Sequence, residues 1–88
     1  MKMIDISYTS KFEKNFKRLN LTVKSKIKQR VEIFQIDPHD TRLKTHKLSG
    51  QLKDYYAFSI NHSYRILFIF ESSNSVTFID VGTHSVYE

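Results

Sequence analysis

The 88-residue sequence contains no cysteine, so it can form neither a disulfide bond nor a metal site with thiolate ligands. It also lacks any apolar run approaching the roughly 20 residues that span a bilayer. Its first residues show no apolar stretch of the length found in a signal peptide. These absences fit a reducing compartment, and we expect a soluble, cytoplasmic protein that is not exported and does not engage a membrane.

The residues that are present supply enough apolar surface for one small core. Hydrophobic residues make up 40% of the chain and aromatic residues 14%, with seven Phe and five Tyr. A chain of this length can enclose one core, and nothing in the sequence indicates a second. We therefore expect residues 1–88 to form a single domain.

Positive charge is concentrated in one part of the sequence. Residues 11–53 hold 12 of the 14 Lys and Arg residues against four acidic residues, a net charge of +8, whereas the remainder has a net charge of −3. Such asymmetry creates a one-sided field that attracts nucleic acid or an acidic protein. The alternative is a solvated helix surface on which lysine serves solubility and helix propensity. We favour a polyanionic partner.

The first half of the sequence predicts one strand and two helices. Alternation of apolar and polar residues over positions 4–8 is typical of a short strand. Thr9 or Ser10 is the expected cap of the first helix, with Glu13 completing a capping box. Thr22 is the expected cap of the second helix, which Asp37-Pro38 ends because proline disfavours helical geometry in the residue before it. The apolar stripes of the two helices consist of Phe12, Phe16 and Leu19, and of Val23, Ile27, Val31 and Phe34.

The second half predicts an irregular basic segment and then three strands. Residues 39–54 have no clear periodicity and form the kind of loop on which binding and catalytic groups tend to lie. Strands are expected at 56–61, 64–71 and 75–82, joined by tight turns that make them antiparallel. The sequence therefore predicts an α+β fold in the order β-α-α-β-β-β, with a helical hairpin packed on a largely antiparallel four-stranded sheet. The first strand should pair beside the other three, at an edge that periodicity does not determine.

Alternation assigns side chains to the two faces of the predicted sheet. Arg65 shares a face with Leu67 and Ile69 in the middle strand. The last strand is expected to place Val76, Phe78 and Asp80 on one face and Thr77, Ile79 and Val81 on the other. Both faces are largely apolar, which indicates either a sheet covered on both sides or an open face that binds a partner.

His84 and Tyr87 follow the last strand, three residues apart. A strand end positions side chains rigidly, and histidine ionises near neutral pH, so a role in proton transfer is one interpretation. The alternative is a turn permitted by Gly82, with Tyr87 packed over the sheet edge and Arg65 serving as a surface or ion-pair residue. No two histidines have the i, i+4 spacing of a helical metal site, and no ligand cluster is evident. We expect no metal.

Five segments carry a family resemblance when they are taken together and in order. They are Ser10-Lys11-Phe12, the lysine-rich hairpin, the segment from His46 to Gly50, the segment from Tyr64 to Phe68, and Gly82-Thr83-His84 followed by Tyr87. This set resembles the RelE/ParE superfamily of bacterial toxin–antitoxin toxins over essentially the whole chain. The RelE-like branch, with its YoeB and YafQ members, is known for ribosome-dependent cleavage of mRNA without a metal. The ParE branch shares the fold, poisons DNA gyrase and generally lacks the terminal histidine.

The resemblance to the RelE-like branch implies a role for each matching residue. The RNA's own 2′-hydroxyl would attack the adjacent phosphate, with His46 as general base and His84 as general acid. Arg65 would stabilise charge on the phosphorane and Tyr87 would stack on a substrate base. No cofactor is implied, and the expected products are a 2′,3′-cyclic phosphate and a 5′-hydroxyl. The expected RNA- or ribosome-binding residues are Lys11, Lys14, Lys17, Arg18, Lys24, Lys28, Lys44, Lys47 and Lys53.

The resemblance also implies two partners, a cognate antitoxin and the 70S ribosome with mRNA in its A site. An apolar sheet face beside a basic surface suits an acidic, amphipathic antitoxin segment that folds on binding. Ser59 and Ser63 stand where the YafQ type has additional His and Asp residues, so a leaner site closer to the YoeB type is expected. Two other interpretations stay open, namely a ParE-like toxin that binds gyrase and a catalytically degenerate binding module.

Overall fold

Two helices lie against one face of a five-stranded sheet in the computed structural model, which describes residues 3–87. The predicted α+β fold and its order of elements are confirmed, except that the sheet has one strand more than expected. The strands are β1 (Asp5–Tyr8), β2 (His46–Lys47), β3 (Tyr56–Ser59), β4 (Arg65–Ser72) and β5 (Ser75–Gly82). The helices are α1 (Ser10–Lys17) and α2 (Leu21–Ile36), and short 3-10 turns span Thr41–Leu43, Gly50–Leu52 and His84–Tyr87.

The sheet has the strand order β1-β5-β4-β3-β2. β1 pairs with β5 in parallel, and the remaining pairs are antiparallel. The first strand therefore lies at the β5 edge of the sheet, a position that the periodicity of the sequence did not determine. The prediction of four strands is wrong because His46 and Lys47, within the segment expected to be irregular, pair with Ala57 and Tyr56. A strand of two residues is too short to produce a periodic pattern in the sequence.

The helix caps differ in part from the predicted ones. Thr9 caps α1, because its hydroxyl accepts a hydrogen bond from the Phe12 N–H at 3.0 Å and donates one to the Ile79 carbonyl at 2.7 Å. The predicted capping box between Ser10 and Glu13 is therefore wrong, since Ser10 is already inside the helix. Asn20, rather than Thr22, caps α2 by accepting from the Val23 N–H at 2.9 Å. Neither helix within residues 3–87 has both the length and the apolar character needed to cross a membrane.

Phe34 of α2 anchors the helical layer to three strands of the sheet. Its ring stacks on Phe58 of β3 at 4.7 Å and meets Phe68 of β4 and Phe78 of β5 edge to face at 5.0 and 5.5 Å. All four phenylalanines are fully buried. Offset and edge-to-face pairs of this kind add to the free energy of apolar burial. The strands that carry the candidate site are thereby held on a rigid base.

A bulge in β5 changes which side chains face the core. Leu67 pairs with Asp80 and Phe68 with Phe78, so Ile79 has no partner across the strand pair. The strict alternation predicted for this strand is therefore wrong beyond Phe78, and Val81 packs in the same core as the strand's earlier apolar residues. Bulges commonly re-aim side chains next to functional sites.

Candidate functional site

One face of the sheet carries most of the predicted catalytic residues. Ser59 pairs with Arg65, Ala57 with Leu67, and His46 with Ala57. Paired residues and alternate residues along a strand share a face, so these five side chains project to the same side. Leu67 and Ala57 are buried but lie outside the core cluster that includes the helices. We call this side, which carries His46, Ser59 and Arg65, the outer face.

Arg65, the first residue of β4, contacts Tyr87 from the last turn of the described chain. Its guanidinium carbon lies 5.6 Å from the centre of the Tyr87 ring, and its Nη1 lies 3.5 Å from the Tyr87 hydroxyl oxygen. The Arg65 Nε is buried and finds no hydrogen-bond partner within residues 3–87. A buried donor without a partner is unfavourable in free energy unless a ligand satisfies it. Arg65 is therefore a half-buried cation with one donor, its Nε, left unpaired within residues 3–87.

The turn His84–Tyr87 folds back over the outer face. Val86 is buried, and a Cβ atom on Gly82 would lie 3.2 Å from the Val86 Cγ1, so the absence of a side chain at Gly82 permits the close approach. The bulge in β5 places Gly82 directly opposite Arg65. The rings of His84 and Tyr87 lie 6.0 Å apart at an interplanar angle of 63°. His84, Tyr87 and Arg65 thus form one cluster, which we call the arginine cluster, and His84 is exposed to solvent.

His46 lies on the outer face but away from the arginine cluster. From the pairing register it is about two strand spacings, roughly 10 Å, across the sheet from Arg65 and two residues, roughly 7 Å, along it. The His46 side chain is exposed, and its Nδ1 lies 3.0 Å from the Lys44 carbonyl oxygen. The structure therefore places Arg65 and His84 each against Tyr87, and places the fourth predicted catalytic residue, His46, on the same face beyond the buried side chains of Ala57 and Leu67.

The nine predicted basic contacts fall into two groups. Six belong to the helical hairpin, which covers the opposite side of the sheet: Lys11, Lys14, Lys17, Arg18, Lys24 and Lys28. Lys44, Lys47 and Lys53 belong to the segment around β2 and flank His46. All are exposed except Lys24, which is half-buried over the Phe16 ring at 5.5 Å. Only the group around β2 lies beside a predicted catalytic residue.

Asp80 is a buried acidic residue whose burial was not predicted from the sequence. The available signal was its position within an otherwise apolar strand. Its carboxylate accepts hydrogen bonds from Asn15 Nδ2 at 2.7 Å and from the Val81 N–H at 2.8 Å, and lies 3.5 Å from Lys11 Nζ. These contacts fix α1 against β5 beside the bulge. Within residues 3–87, no group of three or more His, Asp or Glu side chains is arranged to hold a metal ion.

An apolar groove of about 690 Å³ runs between α1, α2 and the adjoining strands. Phe16 and Val31 pack against the core, as expected, but both are only half-buried and also line this groove. Three lysines also border it, Lys17, Lys24 and Lys28. Tyr8, at the end of β1, lines the same groove and is 50% exposed. Two acids, Glu13 and Glu32, also line it, so the helical hairpin leaves an unfilled apolar surface with charges of both signs at its border.

Solved structures of bacterial toxins share this fold at low sequence identity. A YoeB/ParE toxin from Agrobacterium tumefaciens has a TM-score of 0.77 and 16% identity over 92% of this chain and 99% of that one. The YafQ toxin in the E. coli DinJ–YafQ toxin–antitoxin complex has a TM-score of 0.71 and 21% identity over 96% of each chain. The RelBE2 toxin–antitoxin complex from Mycobacterium tuberculosis has a TM-score of 0.77 and 13% identity over 93% and 99%.

The family match agrees with the fold. A search of curated proteins finds no significant relative. The family profile described as a bacterial toxin of type II toxin-antitoxin system, YafQ, matches residues 4–87, which is nearly the whole sequence. The predicted kinship with the RelE/ParE superfamily is confirmed, and the chain belongs to the YafQ family of toxins from type II toxin–antitoxin systems.

Proposed function

We propose that this toxin is an endoribonuclease that cleaves mRNA in the A site of the 70S ribosome, in the cytoplasm and without a metal. The observation that supports this most directly is the arginine cluster, where an arginine with an unsatisfied buried donor lies beside a tyrosine and a histidine. An RNA phosphate is the ligand class that suits this combination, because guanidinium groups bind phosphate oxygens through several hydrogen bonds.

In the proposed reaction, the 2′-hydroxyl oxygen of the RNA attacks the adjacent phosphorus and its proton passes to His46. The bond between phosphorus and the 5′-oxygen breaks, and His84 donates a proton to that leaving oxygen. The products are a 2′,3′-cyclic phosphate and a 5′-hydroxyl, and the two histidines return to their starting states by exchange with water. This scheme requires His46 and His84 to reach the attacking and the leaving oxygen from opposite sides of the phosphate.

Arg65 stabilises the additional negative charge on the phosphorane in this scheme. The Tyr87 ring holds the guanidinium in place before the substrate arrives, so little reorganisation is needed during the reaction. The same ring offers a surface on which an unpaired base stacks. Removing a preorganised donor of this kind lowers the rate about 100- to 1,000-fold in well-studied enzymes.

The test uses translating ribosomes on a defined mRNA, with the 5′ ends of the products mapped to nucleotide resolution. Wild-type toxin is expected to cut within the A-site codon, and His84→Ala and Arg65→Ala are each expected to abolish the cuts. His62→Ala and Arg42→Ala are the matched controls, because both residues are exposed and lie outside the cluster. Both control variants should cut like the wild type.

Two outcomes of this experiment would replace the nuclease proposal. Growth arrest with intact mRNA and a DNA-damage response would favour a ParE-like toxin that binds gyrase. An absence of growth arrest, with retained binding to a partner protein, would favour a catalytically degenerate binding module. Uncut mRNA on ribosomes that demonstrably bind the toxin would also contradict the nuclease proposal, and it would favour neither alternative.

Ribosome binding is proposed to depend on the exposed basic residues of the hairpin and of the segment around β2. Contacts between lysine or arginine and RNA phosphates release bound counterions, so affinity should fall steeply as salt rises. Sedimentation of the toxin with ribosomes at about 50 and about 200 mM salt, on either side of the physiological value of roughly 150 mM, measures this. A flat salt dependence would exclude electrostatic docking.

The proposed second partner is an acidic antitoxin encoded next to the toxin. YafQ and RelBE2 were each solved as toxin–antitoxin complexes. We propose that an amphipathic antitoxin segment fills the apolar groove, with acidic residues facing its lysines. Val31→Asp would place a charge in the groove, whereas Leu21→Asp alters a residue that is 81% exposed and does not line it. Val31→Asp should weaken antitoxin binding at least tenfold and Leu21→Asp should not, and equal affinities would exclude the groove.

A further inference from the structure

Lys44 is the one non-glycine residue with a positive φ within residues 3–87, at φ 53° and ψ 39°. This left-handed conformation brings the Cβ atom close to the backbone and is uncommon for residues other than glycine, asparagine and aspartate. It ends the turn Thr41–Leu43 and directs the chain into β2. A long, flexible lysine gives no local reason for it, so the conformation must be imposed by its surroundings.

The residues on both sides of Lys44 impose this conformation. Leu43 is fully buried, and the Lys44 N–H donates a hydrogen bond to the Thr41 carbonyl at 3.3 Å. On the other side, the Thr45 hydroxyl donates to the Pro38 carbonyl, and His46 pairs with β3. Strained backbone that persists because its neighbours fix it is found preferentially at functional sites.

The left-handed turn aims the Lys44 carbonyl at the His46 ring. The carbonyl oxygen lies 3.0 Å from His46 Nδ1. A carbonyl only accepts hydrogen bonds, so Nδ1 must carry the hydrogen, and in the neutral ring Nε2 is then left without one. The nitrogen that carries the proton in a neutral histidine is set by the hydrogen bond that one of the two makes.

We propose that Lys44 is a positioning residue whose left-handed backbone fixes His46 as the Nδ1–H tautomer and leaves Nε2 free to accept a proton. The inference rests on the proposed nuclease function, in which Nε2 takes the proton of the RNA 2′-hydroxyl. It assigns to the Lys44 backbone a role that is separate from the charge of the Lys44 side chain. It also explains why a strained residue lies two positions before a predicted general base.

The first test is ¹⁵N NMR of the full-length toxin at a pH of about 8.5, a condition chosen to favour neutral imidazole. The pattern of couplings between the ring nitrogens and carbon-bound hydrogens distinguishes the two tautomers. The His46 signals are assigned by their loss in His46→Gln. A predominant Nδ1–H tautomer is expected, and a predominant Nε2–H tautomer in the wild type would overturn the proposal.

The second test compares Lys44→Asn with Lys44→Val. Both remove one positive charge, but asparagine adopts the left-handed conformation readily and a β-branched valine does not. Folded Lys44→Asn should keep the wild-type tautomer, and Lys44→Val should shift towards Nε2–H and cleave mRNA at least tenfold more slowly than Lys44→Asn. Identical tautomers in the two variants would overturn the proposal. If Lys44→Val does not fold, Lys44→Ala replaces it in the comparison, because alanine also disfavours this conformation.

The two measurements separate this inference from the proposed function. An Nδ1–H tautomer in a wild type that leaves ribosome-bound mRNA intact would overturn the nuclease function, and the role of the Nε2 atom with it. Codon-phased cleavage by a wild type with the Nε2–H tautomer would overturn only the role of Lys44.

Discussion

The Tyr87 hydroxyl oxygen lies 3.5 Å from Arg65 Nη1, while the centre of the Tyr87 ring lies 5.6 Å from the guanidinium carbon. The hydrogen bond is long and therefore weak, whereas the distance to the ring is within the range of a cation–π interaction. The ring, more than the hydroxyl, holds Arg65. This contact joins the start of β4 to the last turn of the described chain.

Tyr87→Phe and Tyr87→Ala separate these two interactions. Phenylalanine keeps the ring over the guanidinium, so cleavage of ribosome-bound mRNA should fall less than about threefold, in keeping with a weak hydrogen bond. Alanine removes the ring, and the rate should fall at least tenfold, since both the cation–π contact and a stacking surface are lost. Tyr8→Ala, on the groove, is a control for loss of an exposed tyrosine. Equal losses for the two Tyr87 variants would contradict this view and assign the effect to the hydroxyl.

Arg65→Met should separate stability from activity. It removes the positive charge and also the buried Nε that lacks a partner, while retaining apolar volume. An unsatisfied buried donor costs about 1–3 kcal/mol, so the free energy of unfolding in urea should be unchanged or higher. The cleavage rate should fall at least 100-fold. A variant that unfolds more easily than Arg18→Met, a control at an exposed arginine, would show that Arg65 is mainly structural.

Gly82→Ala should displace the turn that carries His84. The new Cβ would lie 3.2 Å from Val86 Cγ1, and overpacking of this kind destabilises by about 1–3 kcal/mol. We expect cleavage to fall about tenfold, because small errors in the position of catalytic groups lower the rate.

The double variant Gly82→Ala, Val86→Ala provides the control for that change. Val86→Ala alone should cost about 2 kcal/mol through lost burial and a small cavity. In the double variant the clash is gone, so the effects on unfolding should be markedly less than additive and cleavage should recover in part. Strict additivity would mean that the two positions do not act through their contact.

Asp40 should make a small contribution to stability that depends on acid pH. The hydrogen bonds from the Arg42 side chain, and then from the Arg42 backbone N–H, lower the pKa of Asp40 from 3.8 to about 2. A carboxyl group with a lowered pKa stabilises the fold above pH 4, and that contribution is lost as pH falls through about 2. The difference in unfolding free energy between wild type and Asp40→Asn should therefore shrink over this range. A difference that is constant with pH would contradict the prediction.

The two helices, four of the five strands and the face of Arg65 could be predicted from the sequence because they depend on local patterns. Apolar spacing located the two helices, and alternation placed Arg65 beside Leu67. The resemblance to known toxins identified Arg65, His84 and Tyr87 as a set before their contact was visible. These features follow from periodicity or from motifs, which a single sequence contains.

The remaining features depend on contacts between distant residues. The bulge at Ile79 arises from the pairing between β4 and β5, and no residue type in β5 indicates it. The left-handed conformation of Lys44 is imposed by the burial of Leu43 and the anchoring of Thr45, whereas lysine itself disfavours it. The two-residue strand β2 exists only because β3 offers it hydrogen bonds. The groove likewise results from how the two helices are spaced, which their separate patterns do not specify.

The parallel pairing of β1 with β5 has a consequence for the order of folding. Asp5 pairs with Ser75, 70 residues further along, and β5 lies between β1 and β4. Contacts of such large sequence separation form late, and a chain is synthesised from its N-terminus. The first strand therefore emerges without its partner, and the arginine cluster cannot assemble before Tyr87 has emerged to join Arg65. A newly made chain thus holds its basic helices well before it holds the cluster.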